Sequence, residues 1–304
     1  MTASGIPFAG IELGGTKCVC ILGTGPAAVW AQESVSTSEP GATLALLGDI
    51  LEGWRHRHGP FAALGIGSFG PIDTHRDSPR FGYVTSTPKP GWADTDLVGY
   101  FARRHGVPIG FATDVEGAAL AEGRWGGARA LRDFAYVTVG TGIGVGLIAD
   151  GAPVGGFGHP ELGHVRIARH DGDTWPGCCP FHGDCLEGLA SGPALRARTG
   201  ISPEQLPAEH PVWESVSYAL GQLLHILTLA TAPRRILIGG GVVCARPYLF
   251  KRIRSDLTRS LAGYRQFPEL DDLDRYVCPP ELGTQAGPLG ALALAVNAAE
   301  RARS

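Results

Sequence analysis

The sequence has no excess of basic charge: 26 lysines and arginines stand against 29 aspartates and glutamates, for a formal net charge of −3. Without that surplus there is little to hold a phosphate backbone, and nucleic acid is not an expected partner. Nor is there an apolar run of 18 residues to span a bilayer, so no membrane is expected either. The opening MTASGIPFAGIELGG lacks the basic start and long apolar stretch of a signal peptide, which places the chain in the cytoplasm. Cysteine is scarce and odd in number, seven in 304 residues. In a reducing compartment a disulfide framework is not expected, and full pairing within one chain is impossible. What the chain holds in quantity is glycine, 45 residues, about twice the usual share. The glycines gather at the ends of apolar runs, which suits an α/β protein whose turns approach a ligand closely. The length allows one large domain or two ordinary ones.

FAGIEL (8–13), GGTK (14–17) and CVCILG (18–23) read as strand, tight turn, strand. FAYVTV (134–139), GTGIG (140–144) and VGLIADG (145–151) repeat that plan, and Gly14 and Gly140 coincide when Phe8 is aligned with Phe134. The shared apolar–glycine–apolar pattern predicts a duplicated fold. Between the copies, residues 41–58 read as helix and ALGIGSFG (63–70) as a strand entering a Gly-Pro turn. PIGFATD (108–114) reads as a strand ending in an acid, and VEGAALAEGRWGG (115–127) as a helix stopped by glycines. A helix at roughly 212–232 leads into the strand and glycine turn of RRILIGGGVV (234–243), and the chain closes on an Ala-rich helix. The domain boundary is expected near 112. Residues 1–112 then form a first domain, rejoined by the last helix at about 286–304, and residues 113–285 form a larger second one.

Three glycine turns, GGTK, GTGIG and GGGV (239–242), each follow an apolar strand. Backbone N–H groups in such turns cradle phosphate oxygens, since no Cβ blocks the approach. Any one of them alone suits an ordinary hairpin, and none has P-loop or dinucleotide-fingerprint spacing. Two in equivalent places of a duplicated fold point to a nucleotide held between the halves. Lys17 is either a counter-charge to phosphate or a solvated strand residue. Asp114 stands where a strand hands over to a helix, the end of an open α/β sheet at which ligands gather. There it is either a catalytic carboxylate or an N-cap.

CCPFHGDC (178–185) concentrates three cysteines and a histidine in eight residues. The CxxHxxC spacing of Cys179, His182 and Cys185 lets three side chains converge on one ion. Tetrahedral zinc takes four nitrogen or sulfur ligands. His164 of HPELGH (159–164) is the best fourth, with Cys178 its competitor. Four protein ligands leave no open position, so the ion would be structural. A Cys178–Cys179 disulfide would be strained, and nothing marks one cysteine as a nucleophile. Glu161 lies three residues before His164 and Glu187 two after Cys185, so an ion there would pin both carboxylates in one polar pocket suited to an aldose or ketose. Taken singly, each glutamate reads as solvated. Cys18, Cys20, Cys244 and Cys278 lie in apolar runs and are expected in the core.

Together, IELGGTK, YVTVGTGIGVGLIADGAPVGGFGHPELGH, CPFHGDCLEGLASG and ILIGGG resemble the ROK sugar kinases. Within that family TPKPGW (87–92) and CPFHGDC are most similar to the bacterial fructokinases. The resemblance spans nearly the whole chain. It implies an α/β fold of two actin-like (ribonuclease H-like) domains with an interdomain cleft for ATP and hexose, usually in a homodimer. It also implies phosphate-binding turns at Gly14, Gly15, Thr16 and Lys17 and at Gly140, Thr141 and Gly142, with Gly240 and Gly241 beside the adenosine. Asp114 is then the general base and touches the sugar together with Glu161 and Glu187. Mg²⁺ accompanies the nucleotide, and His164, Cys179, His182 and Cys185 hold Zn²⁺.

The sequence also departs from the family pattern. Thr113-Asp114-Val115-Glu116 replaces the Asn-Asp-Ala-Asn of the related glucokinases, which argues away from glucose. Glu12 stands where many relatives carry Asp, and His182 takes the place of one sulfur of the usual Cys-x-Cys. The expected activity is ATP-dependent phosphorylation of fructose to fructose 6-phosphate, with mannose, glucose or N-acetylmannosamine as alternative substrates. The rival from another class is a sugar-responsive transcriptional regulator. It is disfavoured by the slightly acidic charge and by the roughly seven residues ahead of the first strand.

Overall fold

The computed structural model describes residues 5–264 and 266–303. Residues 1–4 and 304, the outer ends of the segments expected for the first domain, lie outside the described residues. The chain opens with β1 (Phe8–Leu13), β2 (Lys17–Gly25), β3 (Ala28–Ser36) and helix α1 (Pro40–His58). Next come β4 (Leu64–Ser68), α2 (Leu97–His105), β5 (Ile109–Thr113) and α3 (Asp114–Trp125). A second hairpin follows, β6 (Phe134–Val139) and β7 (Ile143–Ala149), then β8 (Ala152–Pro153) and a 3₁₀ turn at Leu162–His164. Helices α4 (Leu186–Ala190), α5 (Gly192–Thr199) and α6 (Val212–Thr231) lead to β9 (Ile236–Gly239). The remainder is α7 (Gly241–Cys244), α8 (Tyr248–Leu261), α9 (Pro268–Asp271), α10 (Leu273–Tyr276), β10 (Val277–Cys278) and α11 (Ala286–Arg301). No helix among the described residues is long and apolar enough to cross a membrane.

Two five-stranded sheets result, ordered β3-β2-β1-β4-β5 and β8-β7-β6-β9-β10. In each, a leading antiparallel hairpin is extended by parallel strands on the side of its first member. The second order is the first with every number raised by five, so the repeated glycine hairpin of the sequence marks a repeated topology.

The chain divides into two compact units, residues 1–130 with 153–159 and 285–304, and residues 131–152 with 160–284. Helix α3, which lies beyond the boundary expected at 112, packs within the first unit because a glycine contact ties it to α11. A Cβ on Gly117 would come 3.3 Å from the Gly290 backbone, so the two helices meet with no side chain between them at that point.

In the first unit the sheet is covered on both faces. Alternation along β1 sends Ala9, Ile11 and Leu13 to one face and Gly10 and Glu12 to the other. The first face builds a core with Leu47, Leu51 and Trp54 of α1 and Phe101 of α2. On the second face Gly10, Gly65 and Gly110 stand in register across β1, β4 and β5, and α11 lies in the groove they leave. A Cβ on Gly65 would strike the Ala291 carbonyl and come 2.6 Å from the Ala295 nitrogen; one on Gly110 would strike the Leu294 carbonyl. In the second unit β6 and β9 are almost wholly buried. Helices α6 and α8 touch where Gly221 leaves room for Asp256. Cys18 and Cys20 are core residues, but Cys244 is exposed and Cys278 half-buried, contrary to expectation. The four-residue helix α7 turns only Val242 and Val243 inward.

Candidate active site and metal centre

The parallel strands of the first unit end level with one another: Leu13 pairs with Ser68, and Ser68 with Thr113. The residues that follow, Gly14 and Asp114, therefore emerge from the same edge, two interstrand spacings or roughly 9.5 Å apart. Asp114 is half-buried against β4, where a Cβ on Gly67 would lie 3.4 Å from its Cα. It is not the helix cap. Thr113 is, with its hydroxyl accepting the Glu116 N–H at 3.2 Å while Glu116 Oε2 accepts the Thr113 N–H at 3.0 Å. This reciprocal box satisfies the first turn and turns Thr113 and Glu116 to the needs of the helix. Asp114 thus becomes the first helical residue, with Oδ1 accepting the Val115 N–H at 2.9 Å. The positive end of the helix favours a carboxylate there.

The GGTK turn is held by its carbonyls. Gly14 O accepts the Thr37 hydroxyl at 2.7 Å, Thr16 O accepts the Thr37 N–H at 2.9 Å, and Gly15 O accepts the Lys89 ammonium at 2.6 Å. Thr37 and Lys89 were not identified from the sequence, since they lie 23 and 74 residues from the carbonyls they engage. Just before the turn, Glu12 is half-buried beside the start of α11, leaving no room for a Cβ on Gly287. Burial pushes its carboxyl above the ordinary range, and the nearby Lys17 ammonium draws it back.

In the second unit the other two turns lie side by side. Thr138 of β6 pairs with Gly239 of β9, so the segments Gly140–Gly142 and Gly240–Gly241 leave adjacent strand ends. Gly240 has φ 89°, and a Cβ there would strike the Val139 backbone; only glycine fits. The Gly140 N–H closes on Gly142 O at 2.9 Å, and Gly140 O accepts the Gly192 N–H from the start of α5 at 2.7 Å. The Ile143 N–H, next along the turn, donates to Glu187 Oε2 at 2.9 Å.

His164, Cys179, His182 and Cys185 converge, each offering one ligand atom within 4.8 Å of the others. Cys179 Sγ lies 3.7 Å from Nδ1 of both His164 and His182, and Cys185 Sγ 3.5 Å from His164 Nδ1. Bonds of about 2.0–2.3 Å to tetrahedral zinc separate the ligands by roughly 3.3–3.8 Å, so the donor set and its spacing fit that ion. The loop is knotted tightly enough to aim the sulfurs. Cys179 and Gly183 exchange backbone bonds at 3.0 and 2.9 Å, and the Cys178 N–H donates to Gly188 O at 3.0 Å. Cys179 is buried while Cys178 is exposed. Burial pushes the Cys185 thiol up to about 11, so an ion entering the site must displace a proton there.

Glu187 joins the two constellations. Its Oε1 lies 4.0 Å from His164 Nε2, the nitrogen turned away from the sulfurs, while Oε2 holds the glycine turn. A carboxylate behind a ligating imidazole fixes the ring's orientation. Glu161 is exposed at the head of the 3₁₀ turn, its carbonyl accepting the His164 N–H at 3.0 Å.

Residues 8–298 match the model of the ROK family. A fructokinase from Pediococcus pentosaceus is 40% identical over 96% of this chain and 98% of its own, and one from Zymomonas mobilis 41% over 95% and 96%. Among solved structures, a ROK hexokinase from Thermus thermophilus is similar with a TM-score of 0.80 at 25% identity, covering 98% of this chain and all of the other. The chain belongs to the ROK family.

Proposed function

We propose that the protein is a fructokinase, transferring the γ-phosphoryl group of ATP to the 6-hydroxyl of D-fructose. The observation that carries this reading is identity of 40–41% over at least 95% of the chain to two fructokinases. The capping box at Thr113 and Glu116 agrees with it, because it occupies two positions that are asparagine in the related glucokinases. Asp114 accepts the proton of the 6-hydroxyl as that oxygen bonds to the γ-phosphorus. The bond to the bridging oxygen breaks, and ADP leaves with the electron pair. The turns at Gly14–Lys17 and Gly140–Gly142 present N–H groups to the phosphates, and Gly240–Gly241 borders the adenosine. Glu161 and Glu187 accept sugar hydroxyls. Magnesium would accompany the nucleotide and offset charge on the phosphates, with Glu12 organising it through water. Zinc on His164, Cys179, His182 and Cys185 is structural and keeps Glu187 in place. The active form is a cytoplasmic homodimer.

The test is turnover with ATP and Mg²⁺ across fructose, mannose, glucose and N-acetylmannosamine. Fructose is expected to show the highest kcat/KM. A higher value for another hexose moves the assignment within the family, and no turnover with any of them points to the regulatory role.

A further inference from the structure

The TPKPGW segment is a rigid clip, and its lysine is aimed at the first glycine turn. Trp92 is fully buried; its indole N–H donates to Ser38 O at 2.8 Å and its ring meets Phe69 edge-on at 5.2 Å. Gly91 bends the chain with φ 77°. The Trp92 N–H closes on Lys89 O at 3.3 Å, and the Thr87 hydroxyl accepts the Lys89 N–H at 3.3 Å. From this base the half-buried Lys89 side chain donates to Gly15 O at 2.6 Å.

In a planar trans peptide the C=O and the following N–H point in opposite directions. Holding the Gly15 carbonyl therefore fixes where the Thr16 N–H points. Thr37 does the same for the neighbouring peptide by holding Gly14 O. Were the Gly15–Thr16 peptide free to flip, a carbonyl oxygen would replace an N–H facing the phosphate, and attraction would become repulsion.

We propose that Lys89 is a positioning residue for the nucleotide: its ammonium holds the Gly15 carbonyl and thereby presents the Thr16 N–H to the phosphates. The proposal rests on the fructokinase reading of this turn. It assigns to the lysine of the clip a part in ATP affinity rather than in sugar affinity. One ammonium proton goes to Gly15 O, and two remain to face anionic oxygen.

Kinetics of Lys89→Met and Lys89→Arg, with ADP titration calorimetry alongside, test it. Lys89→Met is expected to raise the ATP KM and the ADP Kd about tenfold, the scale of one lost charge-assisted hydrogen bond. The fructose KM and Tm should hold. Lys89→Arg, which retains a cationic donor, should stay within about threefold of the parent protein for ATP. An unchanged ATP KM in Lys89→Met overturns the proposal, and so does a rise confined to the fructose KM, which would make Lys89 a sugar contact. Calorimetry separates the two layers. If the parent protein binds ADP yet phosphorylates no hexose, the fructokinase reading falls while the Lys89→Met affinity still decides this one. If it binds no ADP, both fall.

Discussion

Replacing Gly142 by alanine probes the link between the second glycine turn and Glu187. The new methyl would lie 2.7 Å from Glu187 Oε2, whereas ordinary contacts begin at 3.4 Å, so the carboxylate must retreat by about 0.7 Å. That retreat stretches the 2.9 Å Ile143 N–H···Oε2 bond by up to the same amount and weakens or breaks it. A hydrogen bond to a charged group contributes roughly 1.5–3 kcal/mol, and about 1.36 kcal/mol corresponds to a factor of ten in rate or affinity. With Glu187 facing the sugar from that position, the displaced carboxylate gives up a hydrogen bond of the same worth to a sugar hydroxyl, and the fructose KM should rise about ten- to hundredfold. Stability should fall by no more than the loss of that one intramolecular bond. The displaced group is the far end of a flexible side chain, and Gly142 does not have the positive φ that favours glycine. Gly140→Ala is the control, since a Cβ there meets nothing within 4 Å. That open space faces the nucleotide in the present reading, so this variant should raise the ATP KM and spare the fructose KM. Steady-state kinetics with each substrate varied in turn distinguishes the pair. A Gly142→Ala protein with an unchanged fructose KM and a raised ATP KM would refute the assignment of Glu187 to the sugar.

Asp114→Asn should lower kcat by about a hundredfold or more with the ADP Kd unchanged, the scale of a lost general base; a kcat near the parent value would return the residue to a structural role. Elemental analysis should find one zinc per chain, lost in Cys179→Ser and kept in Cys178→Ser, with metal retained by the former reassigning the ligand. Stripping the zinc should raise the fructose KM far more than the ATP KM, and affinity for the ion should fall as the pH is lowered, because bound thiolates must stay deprotonated. Asp173 is nearly buried between Arg169 and Arg198, 3.2 and 2.9 Å away. Burial alone would raise its carboxyl, but the Arg198 hydrogen bond, the Trp175 N–H and the two guanidinium groups together hold it below the ordinary range. A depressed carboxyl contributes stability above its unfolded value of about 3.9 and loses it as the pH falls through the folded one. Asp173→Asn should thus lower Tm by a few degrees at pH 7, with the difference from the parent shrinking toward pH 3; an equal difference at both would place the effect in packing instead.

The sequence was most legible where one local pattern carries the structure. Both hairpins and the long helices follow from apolar runs punctuated by glycine, and the metal loop follows from ligands packed into eight residues. Strand β3 was missed because it is largely exposed and polar, with no clean alternation over AVWAQESVS. Helices α2 and α8 were missed too, although the Asp96 cap and left-handed Gly106 of the one and the apolar positions Leu249, Ile253 and Leu257 of the other stand in the sequence. What no local pattern could give is the set of contacts that reach across the chain. Lys89 on Gly15, Glu187 on Ile143 and His164 beside Glu187 depend on how the loops are packed, and periodicity is silent about that. Asp114 is an intermediate case: its place at a strand end was readable, but the handing of the cap to Thr113 needed the Glu116 side chain folded back.

The glycine row beneath α11 bears on the order in which the molecule can mature. Strands β1, β4 and β5 are complete once residue 113 has been made, but the helix that fills their groove spans residues 286–301. A ribosome synthesising the chain must therefore produce the whole second unit before the first can close. Until then the floor beneath Gly14 and Asp114 lies open along a strip of bare backbone, with Glu12 uncovered beside it. The unit begun first is therefore closed last, and the proposed catalytic carboxylate acquires its final surroundings only once residues 286–301 have been made.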